Sequence, residues 1–361
     1  MNFVAGFGRW LSQSTAARAF RYGYSNARTK AMRSTLLGPA EYAALIEAKG
    51  TMEVIAILER TAYGEPLREQ ALISNRADLV EIAASRHFSK VLKKLLRISP
   101  KGDREKIHRV YERYDLLNLK NLLYAKHLGE APEKTRLHLV ESPNFNFAKL
   151  DAMVRATGVN EVVEATKGTD FFPVLNAVLE KYQQTKEIAV MVDAAESQYY
   201  RHTTRHFSDD FALEKSVQQM LAAEIDAKNI MTVLRGISEK YPASKIRPIL
   251  LEGGTMARAQ LEGLLQAESV EDALKKYRSK NLTTAADAYQ TDKTLSHFEN
   301  ALEKSGAETG LSVLRRSSLS LTALVGFLLL KEEEIRNIRK IVRAKEFGFS
   351  PEATRELVVG I

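Results

Sequence analysis

An all-helical fold, built from one helical unit used three times, is what this sequence predicts, and three observations predict it. Only nine prolines and nineteen glycines interrupt 361 residues, and Ala, Leu, Glu, Lys and Arg, all good helix formers, dominate the rest. A short stretch recurs at nearly constant separation, the mark of a repeated supersecondary unit. Within a second recurring stretch the apolar residues fall at helical spacing.

The chain begins without acids. Six basic residues (Arg9, Arg18, Arg21, Arg28, Lys30 and Arg33) precede the first acid, Glu41, and so account for most of the formal net charge of +8. The basic character is terminal. With Phe3, Phe7, Trp10 and Leu11, this start suits a helix packed on the body, an amphipathic arm against lipid headgroups, or a transit-like segment. Of these the packed helix fits best, because the pattern runs on into the body.

The first recurring stretch is Leu45 to Thr61, Met153 to Thr169 and Leu264 to Lys280, which align without a gap. Ala48, Ala156 and Ala267 correspond, as do the acids Glu53, Glu161 and Asp272, separated by 108 and 111 residues. Three residues before each acid stand Gly50, Gly158 and Ser269, all types tolerated at a helix N-cap. The acid then falls at the third helical position. From there a carboxylate reaches back to free backbone N–H groups and meets the positive end of the helix dipole. Capping accounts for type and spacing, so three converging catalytic or metal-binding carboxylates are not needed to explain them.

The second mark lies within Tyr111 to Gly129, Glu224 to Gly236 and Glu332 to Gly348. Asn118, Asn229 and Asn337 align there, each with an acid three residues earlier: Asp115, Asp226 and Glu334. Asparagine is a mediocre helix former because its amide competes for backbone partners. Its recurrence on a largely apolar face points to a bond with another helix, and the acid at i−3 shares that face, where the pair can satisfy each other.

Between the marks each unit carries a paired aromatic or histidine: His87-Phe88, Tyr199-Tyr200 and His297-Phe298. Turns are signalled at Gly38-Pro39, Ser99-Pro100, Ser142-Pro143, Tyr241-Pro242, Gly253-Gly254 and Ser350-Pro351. Ser350-Pro351-Glu352 reads as an N-cap, an N1 proline and a final short helix. The organisation expected is a single domain with a basic N-terminal helix (1–40), repeats at 41–130, 131–240 and 241–349, and a short C-terminal helix (350–361). Three such units form an open solenoid or close about a pseudo-threefold axis into a bowl or funnel.

Much chemistry is excluded. With no cysteine, disulfides, thiolate nucleophiles and cysteine metal centres are impossible, and a reducing intracellular setting fits. No Gly-Lys dipeptide or G-x-G-x-x-G occurs, so the phosphate loops are missing. His202 and His206 stand four apart, but Thr203, Thr204 and Arg205 lie between them, and a polar helix face explains the pair better than a metal site. Lys90, Lys93, Lys94 and Arg97 have the spacing of a solvated stripe. No catalytic, cofactor-binding or metal-binding residue is assigned, and no nucleic-acid motif is present. The most apolar run, Leu319 to Leu330, is too short for the roughly 20 residues of a membrane span and reads as a buried helix.

The repeated stretches, with Tyr24-x-Asn26-Ala27-Arg28, Leu250-Leu251-Glu252-Gly253-Gly254 and the Lys345 to Pro351 ending, resemble the C subunit of the archaeal A-type ATP synthase. That family includes the d subunit of V-type ATPases. The resemblance spans nearly the whole chain. It implies a funnel of three helical repeats, peripheral to the cell membrane on its cytoplasmic side. It further implies a non-catalytic central-stalk connector that seats on the membrane rotor ring, receives the shaft formed by subunits D and F, and takes part in ATP synthesis without a cofactor. Arg21, Arg28, Lys30 and Arg33 are then candidates for ring or headgroup contact. The other expectation the repeats allow is a helical scaffold for a soluble partner.

Overall fold

The computed structural model describes residues 15–72, 75–207, 215–277, 282–316 and 320–358. Phe3, Phe7, Arg9, Trp10, Leu11 and Leu319 lie outside the described residues, as do the side chains of Arg18 and His206. Every regular element among the described residues is helical, and no helix there is long and apolar enough to cross a membrane. The chain divides into two compact units, one of Met1–Ala195 with Leu314–Ile361 and one of Glu196–Val313.

The first unit opens with α1 (Thr15–Arg33), followed by α2 (Pro39–Glu47), α3 (Thr51–Leu58), α4 (Gly64–Glu69) and the long α5 (Arg76–Ile98). A 3₁₀ turn at Lys101–Asp103 leads into α6 (Arg104–Leu128), then α7 (Pro132–Arg136), α8 (Phe147–Arg155), α9 (Val159–Ala165), α10 (Phe171–Thr185) and the start of α11 (Ala189–Phe207). The second unit holds α12 (Lys215–Ser238), α13 (Ala243–Ile246), α14 (Arg258–Leu265), α15 (Val270–Lys276), α16 (Thr283–Asp292) and most of α17 (Ser296–Arg316). The chain returns to the first unit with α18 (Leu321–Glu346) and α19 (Pro351–Leu357).

Burial follows the sequence periods. The pairing of α5 with α18 is the most extensive in the first unit. Ala84, Phe88 and Leu95 of α5 and Leu324, Phe327 and Leu328 of α18 are all buried, so the apolar run at the start of α18 is core. Arg343 adds a fork across this pair, donating from Nε to Glu81 at 2.6 Å and from Nη2 to Asp78 at 2.6 Å. In the second unit Val233 and Leu234 of α12 pack with Leu264, Ala273, Tyr289 and Phe298. Of the paired aromatics, Phe88, Tyr199, Tyr200 and Phe298 are all buried.

Three helices end alike. The N–H groups of Glu130, Tyr241 and Phe349 each bond back, at 2.8 Å, to the carbonyls of Ala125, Gly236 and Ala344, the 6→1 bond of a Schellman motif. The left-handed residue closing each turn is Gly129 (φ 67°), Lys240 (φ 56°) and Gly348 (φ 73°). The second copy therefore does not stop at Gly236. Its helix runs on to Ser238 and turns at a lysine, whose Cβ disfavours that backbone region. Lys240→Gly is expected to stabilise the protein by about 0.5–1 kcal/mol. A urea-unfolding midpoint that does not rise would show that the turn is not strained.

Candidate functional site

The three capped helices share one geometry. Gly50, Gly158 and Ser269 are the N-caps of α3, α9 and α15. The carboxylates of Glu53, Glu161 and Asp272 accept from the backbone N–H groups of Lys49 (2.8 Å), Thr157 (2.7 Å) and Glu268 (3.2 Å). Each reaches one residue past the N-cap, a step further than the capping box would take it. These acids lie on the surface and serve the helix starts.

The asparagine marks behave differently from the expectation that acid and amide satisfy each other. Asn118 on α6 accepts from the Val140 N–H (3.0 Å) and donates to the Val140 carbonyl (2.6 Å). Asn229 on α12 does the same with Leu251, at 2.8 Å and 2.9 Å. Each side-chain amide thus acts as a peptide group, making the two-way bond that a β-strand neighbour would make. Both asparagines are essentially fully buried. In both copies the partner stands 22 residues downstream. The corresponding Val359 lies outside the described residues, and Asn337 bonds the Tyr42 hydroxyl.

The acids hold the same connecting segments further along. Asp115 accepts from the Ser142 hydroxyl (2.5 Å) and the Asn144 backbone N–H (3.1 Å) and side-chain amide (2.9 Å). Asp226 accepts from the backbone N–H groups of Thr255 (2.9 Å) and Met256 (3.2 Å) and from the Thr255 hydroxyl. Gly254 passes so close that a Cβ there would meet Asp226 Oδ1 at 2.1 Å, which explains one glycine of the Gly253-Gly254 pair. Glu334 accepts from the Leu37 N–H at 2.6 Å. Met256 lies thirteen residues before the cap Ser269, and Leu37 thirteen before the cap Gly50. The first two acids therefore grip the segment leading into the next capped helix, and the third grips the segment leading into the first.

Glu334 has a heavier duty as well. Its Oε1 accepts from Lys331 Nζ (2.5 Å) and from the Tyr63 hydroxyl (2.6 Å), with the Lys331 and Glu334 side chains 1% and 3% exposed. Lys331 Nζ also lies 4.6 Å from the Tyr63 ring centroid. Burial pulls the Lys331 pKa down while Glu334 supports its charge.

Burial raises the Asp115 carboxyl from 3.8 to about 7, although Ser142 and Asn144 donate to it. A folded pKa above the unfolded one means that the folded chain holds the proton more tightly. The associated stability is full below 3.8 and is lost as pH rises through about 7. Asp115→Asn should therefore flatten the decline in urea midpoint between pH 4 and 7 relative to the parent. Parallel pH profiles would assign the decline to other groups.

The basic residues of α1 separate. Arg21 is engaged: its guanidinium donates to the buried Asp103, from Nε at 2.8 Å, and Tyr22 donates to the same carboxylate at 2.8 Å. Arg28, Lys30 and Arg33 are exposed and have no ion-pair partner among the described residues. Tyr22, Ser25, Thr29 and Met32 form the buried face of α1. On the opposite face Phe20 (95% exposed), Tyr24 (67% exposed), Ala27 and Ala31 make an uncovered ridge. The sequence reading found the charges and missed this ridge, whose i, i+4, i+7, i+11 spacing was its available signal. Elsewhere Lys90 pairs with Glu65 and Glu69, Lys93 with Glu141, and His202 is half-buried on α11.

Comparison with known proteins gives a consistent result. The sequence profile of the ATP synthase (C/AC39) subunit family matches residues 25–357. The C subunit of the A-type ATP synthase of Methanocaldococcus jannaschii is 26% identical, over 94% of this chain and 86% of that protein. Its counterpart in Haloferax volcanii, of the same description, is 28% identical, over 93% of this chain and 97% of that protein. That of Methanococcoides burtonii is 24% identical, over 99% of this chain and all of that protein.

Proposed function

The chain belongs to the ATP synthase (C/AC39) subunit family, and from that premise we propose that it is the central-stalk connector of its ATP synthase complex. It joins the membrane rotor ring to the shaft of subunits D and F, so that ion-driven rotation is coupled to ATP synthesis, and it performs no chemistry itself. It sits peripherally on the cytoplasmic face, as three repeats closed into a funnel.

The observation that carries this reading is the order of the acid clasps. Asp115 and Asp226 each hold the segment ahead of the following capped helix, and Glu334, near the end of the chain, holds the segment ahead of the first. An open solenoid leaves its last unit without a successor. A succession in which the last grips the first supports closure. Closure suits a torque adaptor, because a body with no free terminal repeat has no end at which shear can begin to peel helices apart. Close-packed interiors are also poorly compressible, so rotation passes through the body with little deformation.

The ring or headgroup contact falls to α1, through Arg28, Lys30 and Arg33 with the Phe20/Tyr24 ridge between them. Arg21, tied to Asp103, serves to hold α1 in place. The test is affinity purification on this chain from detergent-extracted native membranes. Ring and shaft subunits are expected together, and recovery of a soluble partner alone would overturn the connector reading. Arg28→Glu, Lys30→Glu and Arg33→Glu combined should reduce ring recovery, and the deficit should change with salt. Unchanged recovery at every ionic strength would remove α1 from the contact.

A further inference from the structure

A cavity of about 340 Å³ opens in the first unit between α5, α7 and α8. Its walls are mostly apolar, from Ile82, Leu137, Leu139, Phe147 and Leu150. That volume lies in the range of small-molecule sites. Seven lining residues are polar or charged, and four of them are already committed. Asp78 accepts from Arg343, Arg136 donates to Asp151 at 3.0 Å, and the Ser85 hydroxyl donates to backbone carbonyls.

Arg86 is the cation among the three that remain, the others being Gln70 and Glu133. Its guanidinium carbon lies 3.4 Å from the centroid of the Phe147 ring, stacked on an aromatic shelf at the cavity wall. It makes no hydrogen bond and no ion pair among the described residues. The nearby carboxylates have their own partners: Glu69 has Lys90, Glu141 has Lys93 and the Phe147 N–H, and Asp151 has Arg136. They favour charge on Arg86 without reaching it. Five N–H donors in a rigid fork, held flat on an aromatic ring, match a planar oxyanion bidentately.

The lining also limits the charge that can enter. Asp78 and Asp151 are held by arginines, but Glu133 borders the cavity with no ion pair among the described residues, so a doubly charged anion meets a free carboxylate with only one free guanidinium to balance it. We propose that this cavity binds a monoanionic carboxylate bearing a small apolar group, the carboxylate on the Arg86 fork and the apolar part against Leu137, Leu139 and Leu150. The carboxylate comes from a free small acid or from the C-terminus of a polypeptide with an apolar last residue.

The test is calorimetry on the full chain with 3-phenylpropionate, its neutral amide and inorganic phosphate, alongside a short peptide ending in Phe as the free acid and as the amide. Saturable binding of a carboxylate, with the matching amide and phosphate at least about tenfold weaker, is the expected result. Arg86→Gln should weaken it by a similar factor. Arg86→Lys, which keeps the charge and loses the fork, should fall between. Binding of 3-phenylpropionate assigns the site to free acids; binding of the peptide acid alone assigns it to chain ends. No binding of either up to about 10 mM, or equal binding of acid and amide, overturns the proposal. The acid-to-amide comparison on the unaltered chain stands even if the Arg86 variants fold poorly.

Discussion

Glu334→Ala is expected to lower stability by about 3–5 kcal/mol, the usual range when one partner of a buried ion pair is removed. Three groups lose their acceptor at once. Lys331, 1% exposed, is left as a buried charge without its partner. The Tyr63 hydroxyl loses a 2.6 Å bond, and the Leu37 N–H loses another. The pH dependence of the variant identifies the first of these. Without Glu334 the Lys331 pKa in the folded state should fall further below its ordinary 10.5. The unfolded chain then binds the extra proton, so the deficit should shrink as pH rises toward 10.5. Lys331→Met combined with Glu334→Leu should recover most of the loss, because removing both charges leaves neither uncompensated. Urea unfolding of the single and double variants decides the matter. A single-variant loss under about 1 kcal/mol, or a double no better than the single, would mean that water reaches the pair.

What the sequence reveals about such a site depends on how local the chemistry is. The three N-caps were legible because cap and acid stand three residues apart on one helix turn, and backbone geometry fixes what such a spacing can do. The core run of α18 was legible because a largely apolar run of twelve residues between charges has few other places to go. Partners of Asn118 and Asn229 were not legible. Their amides bond the backbone of Val140 and Leu251, and every residue has a backbone, so no side-chain type marks the other half. The pair Lys331 and Glu334, three apart on a helix, reads as an ordinary surface pair until burial is known. Lys240 in a left-handed turn was hidden for a different reason, since glycine was the expected signal and the second copy lacks it. Repetition itself carried the most information. It singled out the acids and asparagines as one set before any of their contacts could be known.

Asn229→Ala tests whether that set does the same work in each copy. The amide satisfies both the N–H and the carbonyl of Leu251, at 2.8 Å and 2.9 Å, where the asparagine is 1% exposed. Truncation leaves two backbone groups to find new partners. Each buried orphan costs about 1–3 kcal/mol, so a loss of about 2–6 kcal/mol is expected, lower if water enters the space left behind. Asn118→Ala should cost a similar amount, because its two-way bond to Val140 is the same. Local opening supplies the sharper measurement. Hydrogen exchange at the Leu251 amide should accelerate far more in Asn229→Ala than exchange in α5 of the other unit, because the bond being removed is the one that protects that amide. Uniform acceleration would show that the asparagine supports global stability without fixing the segment. Selective loosening, with the helices intact, is what a clasp predicts, and it bears on the proposed connector role: a connecting segment free to slide past α12 could not keep the capped helix that follows it in register under the load that role implies.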